Sequence, residues 1–375
     1  MDITVREVSS RRDLRRFARF PNELYKGNPY FVPQIVSMDM ATFSPEKNRA
    51  FEVCEGKFWL ATDASGRTVG RIAGIINRRY NQKVGKKICR FGWIDFVESQ
   101  EVASALLATV EAYAREQGMK EVEGPVGFLE FDVSGILVDG FDQIPTAYGK
   151  YNAPYYEPMV LKEGYSRVTD FVEYRITVPD DIDRYIRFGA LVGERFNLRE
   201  GTYRNKKELI RKYMDGIFET LNACYAKLHG FSELSPGQCE DLKNQFLSNL
   251  QLDLISVVVD KDDRVVGFGI TLPSLSLALQ KANGSLFPFG FIHILRALRK
   301  NDTVDALLIA VREEYQDKGV HAMIFSKVGA GMQKRGIKYL ESTRELEENH
   351  NVRNLWGRLE HRLHKRARVY SKTLQ

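Results

Sequence analysis

The fold class this sequence predicts is α/β (α+β), built twice in tandem: each half a mixed, mostly antiparallel sheet flanked by helices. Three observations lead there. The chain has 375 residues, the length of two ordinary domains, each able to bury its own core. A hairpin recurs: Arg67-Thr68-Val69-Gly70 and Arg264-Val265-Val266-Gly267 stand 197 residues apart, each behind a strand and an acidic turn and ahead of strand, helix and strand. Self-similarity at so long a spacing means a duplicated domain rather than a solenoid. The third is the stretch 304–336. Its apolar run from Ala306 to Val311 is short enough for a buried strand, a polar turn follows, and Met323, Ile324, Val328 and Met332 then recur at helical spacing.

In chain order, residues 4–8 alternate as a first strand and Ser10–Phe20 reads as a basic helix. The segment 20–34 holds too many breakers for one element and reads as turns. Lys57–Thr62 and Thr68–Asn77 form the first hairpin around Asp63-Ala64-Ser65-Gly66. Ile88–Val97 is a strand and Glu101–Gln117 a helix closed by Gly118. Val122–Val126 is a further strand, 127–145 a loop, Pro154 opens a short helix, and Arg167–Val178 returns as a strand. Pro179-Asp180-Asp181 marks the boundary between a first domain, 1–178, and a second, 179–375. The second begins with helices at Ile182–Phe196, Lys206–Leu228 and Gly237–Leu250. The hairpin pattern then restarts with Leu254–Val259 and Arg264–Leu272. After the strand–turn–helix unit come Lys338–Ser342 as strand, Glu345–Asn349 as turn, Val352–Leu363 as helix and Lys365–Lys372 as strand.

Composition excludes some classes. The hydrophobic share of 43% and charged share of 28% are those of a soluble globular protein. Cys54, Cys89, Cys224 and Cys239 contain no C-x-x-C pair, so neither a zinc site nor a disulfide framework is readable, and a reduced, cytoplasmic setting is expected. The N-terminal stretch is charged without an apolar core, which is not a signal peptide. No apolar run spans a bilayer. The net charge of +6 suits an anionic ligand and selects none.

A strand, a tight turn and a helix start aim unpaired N–H groups and the positive end of the helix dipole at whatever lies above, and phosphate is the natural guest. Here the turn is Gln316-Asp317-Lys318-Gly319-Val320-His321. It resembles the Q/R-x-x-G-x-G/A loop of the GNAT N-acetyltransferase superfamily in its first two fixed positions, with His321 in place of the third, small residue. The order of elements in both halves is also that of GNAT domains, and Glu348-Asn349 ahead of Asn354-Leu355-Trp356 resembles a segment common in that superfamily. Residues 20–33, 51–81, 151–156 and 272–291 resemble a bacterial family of tandem GNAT proteins related to the bacterial ceramide synthases.

The resemblance implies an acyl-CoA-dependent N-acyltransferase, with acetyl-CoA or a longer acyl-CoA as co-substrate, an amine, lipidic or long-chain, as acceptor, and no metal. Ile309, Val311, Gln316, Lys318, Gly319, Val320 and Asn349 would hold the donor, with a backbone N–H of Ile309 or Val311 polarising the thioester carbonyl. Glu341, on the next strand, is a candidate general base, and His321, its pKa lowered at a helix start, is another. The family's leaving-group tyrosine is replaced by Trp356, so Tyr370 or Tyr315 would supply the acid, or no protein acid is used. In the first domain the matching turn, Phe96 to Glu101, carries Glu98 and Glu101 where a pyrophosphate would sit, which argues against a second donor site.

Residues 274–300 interrupt the second domain with an apolar insertion ending in Arg296, Arg299 and Lys300. It reads as a plug between the domains, or as an apolar cover or peripheral membrane contact through 286–300. The basic run from His361 to Arg368 lacks the interleaved aromatics of a nucleic-acid platform. Two other readings stay open: an aminoacyl-tRNA-dependent transferase of the peptidoglycan-bridge type, and a non-catalytic ligand-binding protein of the same fold.

Overall fold

The computed structural model describes residues 2–247 and 249–375. The first half runs β1 (Thr4–Glu7), α1 (Arg11–Leu24), α2 (Val36–Thr42), β2 (Cys54–Thr62), β3 (Thr68–Asn77), α3 (Arg78–Val84), β4 (Ile88–Phe96), α4 (Gln100–Glu116), β5 (Glu121–Gly124), β6 (Ile136–Asp139), α5 (Tyr156–Lys162) and β7 (Ser166–Thr177). The second runs α6 (Asp183–Phe196), β8 (Arg199–Glu200), α7 (Lys206–Leu209), α8 (Asp215–Tyr225), α9 (Pro236–Leu247), β9 (Ile255–Val259), β10 (Val265–Pro273), α10 (Ser276–Ala282), α11 (Gly290–Arg299), β11 (Thr303–Val311), α12 (Val320–Arg335), β12 (Tyr339–Ser342), β13 (Glu345–Leu346), α13 (His350–Trp356) and β14 (His361–Thr373).

The strands form one sheet in the order β1-β2-β3-β4-β5-β14-β7-β12-β11-β10-β9-β8, with β13 beside β7 and β6 beside β14. The halves exchange their last strands: β14 pairs with β5 through Tyr370↔Gly124, and β7 pairs with β12 through Leu340↔Ile176. Each wing has its own core. One packs α4 against β3 and β4 through Leu106, Val110, Ile72 and Phe91; the other packs α12 through Val320, Ile324 and Val328 against Val258, Val266 and Val304.

Local expectations fail where a distant partner decides. The helix read over Ser10–Phe20 continues to Leu24 through Pro21. A proline there leaves the carbonyl of Phe17 without its usual donor; the buried Arg71 supplies one, Nη1 donating to that oxygen at 2.8 Å. The helix read over Val352–Leu363 is shorter, ending at Trp356, because His361 to Leu363 join β14 in register with Ile176 to Tyr174 of β7. Glu345 and Leu346, read as turn, make a two-residue strand on Val172 and Phe171. Helix α3 fills a stretch to which the sequence assigns no element, and strand β6 lies within the stretch 127–145 that reads as a loop.

The insertion forms α10 and α11. Leu275, Leu279 and Ala282, with Ile294, Ala297 and Leu298, pack on Val32 and Ile35 of the first half.

Candidate active site

The site begins where two parallel strands part. β11 and β12 run in register from Thr303↔Tyr339 to Ala306↔Ser342 and then separate. Thr343 ends the pairing by turning both its N–H (3.3 Å) and its hydroxyl (2.9 Å) onto the carbonyl of Ala306. On its other edge β11 continues against β10, with Arg312 N–H donating to Val266 O at 2.9 Å and Ala310 opposite Phe268. Alternation along an antiparallel ladder therefore turns the polar groups of Leu308 and Ala310 toward β10 and those of Ile309 and Val311 into the gap. The carbonyls show it: Ile309 O accepts from the Tyr225 hydroxyl at 3.3 Å, and Val311 O from Gln316 Nε2 at 3.0 Å.

Beyond β11 the chain makes one short helical turn, passes Asp317 and Gly319 at φ +61° and +80°, and enters α12. A side chain at Gly319 would be strained by that φ, and its Cβ would lie 2.9 Å from the Phe188 ring on α6. Gly319 is also the N-cap and offers no side-chain acceptor, so the first N–H groups of α12 are left for another partner. The first half differs at this point. There Ser99 caps α4, accepting from Val102 N–H at 3.4 Å. Its strand gap is closed too: Val126 N–H donates to Phe91 O at 2.8 Å, and the Phe128 ring packs on Phe51 and Trp93.

A cavity of about 170 Å³ opens on the gap of the second half. Ala306 to Ile309 and Thr343 to Leu346 line one side, α8 covers it with Ile217, Phe218 and Tyr225, and Trp356 and Asn349 close an end. The first half contributes Glu130, Phe131, Tyr148 and Phe171. The wall is mainly apolar with a few converging polar groups, as a binding site requires.

No family model matches the chain. It is 26% identical over 379 residues to protein YghO of Escherichia coli (strain K12), covering 99% of this chain and 95% of that protein. It is 24% identical over 320 residues to a bacterial ceramide synthase of Caulobacter vibrioides (strain NA1000 / CB15N), covering 84% of this chain and 82% of the other. Among solved structures, a tandem GNAT protein from the clavulanic acid biosynthesis pathway superposes with a TM-score of 0.57 over 99% of this chain and 98% of its own, at 10% identity. A GCN5-related N-acetyltransferase from Anabaena variabilis ATCC 29413 does so with 0.51 over 100% and 73%, at 9% identity. The chain has the tandem GNAT fold.

Within that fold the residues singled out from sequence fall into three groups. Ile309 and Asn349 line the cavity, and Val311, Gln316, Lys318, Gly319 and Val320 make the turn beside it. The Lys318 ammonium lies over the rings of Tyr315 and Phe196, 5.0 and 5.4 Å from their centroids. His321 sits on the first turn of α12 in a row with Phe325 and Trp356, their ring centroids successively 6.1 Å apart. Burial, and then the charge of Arg358, lower its pKa, which favours the neutral ring.

Glu341 and Tyr370 lie elsewhere. Glu341, on β12, is buried against side chains of β7 and β14, 2.5 Å from Arg175 Nη1 and 2.9 Å from His364 Nε2. Burial raises its pKa, but the His364 and Arg175 interactions outweigh that and hold it below the ordinary carboxylate range. Tyr370 is buried in the first wing and donates to Glu157 Oε1 at 2.6 Å.

The acids that do face the cavity are Glu345 and Glu130. Glu345 Oε1 accepts the indole N–H of Trp356 at 2.9 Å, while Oε2 is buried without a hydrogen-bond partner. Burial pushes both carboxyls up to about 7. Nothing local in the sequence separates Glu345 from Glu341; the strand ending at Ser342 does so, by turning the chain toward the gap. Arg358, beside His321, was also missed, since its neighbour lies 37 residues away in the sequence.

Proposed function

We propose that this chain is an acyl-CoA-dependent N-acyltransferase that passes an acyl group from a thioester to an amine by direct attack. The observation that carries the reading is the open gap between β11 and β12. The N–H groups of Ile309 and Val311 turn into that gap, on which a mainly apolar cavity opens, near a helix whose N-terminus has no side-chain cap. A pyrophosphate would be held by the first N–H groups of α12 and by Lys318. Arg358, whose charge acts on His321 in the first turn of α12, adds to the positive field there. The N–H of Ile309 or Val311 is fixed where charge grows on the thioester oxygen.

The amine nitrogen bonds to the carbonyl carbon as the C–S bond breaks and the thiolate leaves. The nitrogen must lose a proton in that step. Glu345 is the group suited to take it, because it lines the cavity, has an uncommitted oxygen, and is pushed up to about 7, near the operating pH. Arg344, which donates to the carbonyls of Asp132 and Ser134, ties this segment to the first half. The cavity is slightly larger than the engineered apolar cavity of about 150 Å³ that binds benzene, and its wall is mainly apolar, so beside the reacting groups it suits a short stretch of alkyl chain. That supports a lipidic partner, as does the likeness to a protein named as a ceramide synthase, ceramides being N-acylated long-chain amines.

The test is calorimetric titration with acetyl-CoA and a long-chain acyl-CoA, for the wild type and for Gly319→Trp, whose fold is checked by circular dichroism. Saturable binding that is lost in the folded variant supports the reading, and a preference for the long chain supports the lipidic partner. No binding of either donor to the wild type would overturn it.

A further inference from the structure

Helices α10 and α11 and the loop between them have two faces. One is packed on Val32 and Ile35. The other is apolar and open: Phe287 is 77% exposed, Phe289 69%, and Leu277, Phe291 and Leu295 are exposed as well. Residues 274–300 contribute nothing to the wall of the cavity, so these side chains are not waiting for the substrate of that site.

Charge is distributed just as unevenly. Between Ser274 and Asn301 there is no Asp or Glu, in a chain that has 49, while Lys281, Arg296, Arg299 and Lys300 are all present and exposed. On α11 the exposed row Phe291, Leu295, Arg299 follows the i, i+4, i+8 line of one helix face. It passes from aromatic to basic over about 12 Å at 1.5 Å per residue. An interfacial helix sinks its apolar side roughly 5–10 Å to the boundary of headgroups and acyl chains, so a tilted α11 would place its phenylalanines in the chains and its arginines among the phosphates.

We infer that the α10–α11 hairpin is a docking surface for an anionic phospholipid bilayer, with the Phe287–Phe291 tip inserted and Arg296, Arg299 and Lys300 at the headgroups. The surface binds from one side only, since no helix among the described residues is long and apolar enough to cross. It does not depend on the acyl-transfer reading.

The experiment is vesicle flotation of the full chain with phosphatidylcholine vesicles, with and without phosphatidylglycerol. A Phe289→Trp variant reports insertion by a blue shift of its emission. The expected result is flotation and a blue shift with the anionic vesicles only. Each charge removed in Arg296→Gln and Arg299→Gln should weaken partition about fivefold. The double variant Phe287→Ser/Phe289→Ser, with an unchanged melting temperature, should abolish it. Absence of wild-type binding to anionic vesicles, or binding unaffected by that double variant, overturns the proposal. So does a wild-type dimer in size-exclusion chromatography that the double variant converts to monomer, because the surface then belongs to a second copy.

Discussion

Replacing Ile309 by proline removes one N–H from the gap and leaves the sheet's ladder intact. The ladder to β10 runs through Leu308, Ala310 and Arg312, so the amide lost is one that β10 does not use. Proline keeps the carbonyl that accepts from Tyr225 and suits an extended backbone wherever no donor is needed. The side chain is also truncated, and Ile309→Ala controls for that, since it retains the N–H. A single oxyanion donor is worth about 10²–10³ in kcat, about 2.7–4 kcal/mol. Ile309→Pro should therefore turn over about 10²–10³ more slowly than Ile309→Ala, with acyl-CoA affinity within about threefold. Release of the CoA thiol into a chromogenic thiol reagent, at saturating amine, measures the first quantity and calorimetry the second. Ala310→Pro, which removes a ladder bond, should instead fail to fold. Equal turnover in Ile309→Pro and Ile309→Ala would refute the assignment of this N–H to the thioester oxygen and leave Val311 as the donor.

Three further outcomes are expected. Glu345→Gln should lower kcat about 10²–10⁴-fold and abolish a rise in rate through about pH 7, whereas Glu341→Gln should lower the melting temperature and keep that pH profile. Arg71→Met leaves Phe17 O without its donor and Asp95 with Lys150 as its remaining cation, 3.1 Å away, so urea unfolding should show a loss of about 1–3 kcal/mol; an unchanged stability would contradict the capping role. Burial pushes Glu130, Glu200, Asp305 and Glu345 each up to about 7. The folded chain therefore holds protons that the unfolded chain releases between the ordinary carboxyl range and 7, and stability falls as pH rises through that window. The melting temperature should be higher at pH 6 than at pH 8, and a reversed order would show that these carboxyls are better solvated than the fold implies.

What could be read from sequence was what is encoded locally. The Arg67 and Arg264 hairpins, the strand–turn–helix at 304–336 and the uncapped Gly319 each announce themselves within a few residues, through periodicity, turn chemistry and backbone freedom. What could not be read depends on partners far along the chain. The passage of α1 through Pro21 depends on Arg71, 50 residues later. The orientation of Glu341 toward Arg175 and His364, and of Glu345 toward the cavity, depends on where β12 stops pairing with β11. Tyr370 looks like a residue of the second half and is buried in the first, because β14 crosses over. The insertion could be read as apolar, but which of its faces is covered follows only from Val32 and Ile35.

That crossing has a consequence for how such a chain is made and how it can change. Strand β14 is translated after every other strand of this sheet, yet it lies between β5 and β7, near the middle of the sheet. Until β14 emerges, that edge of β5 has no neighbour, and an open strand edge invites pairing with the wrong chain. Completion of the first wing is thus postponed until the second half has been made. The same exchange ties the two halves together: each half's sheet is completed by the other's last strand, so the first half is needed as the frame of its neighbour's sheet although its own strand gap is closed.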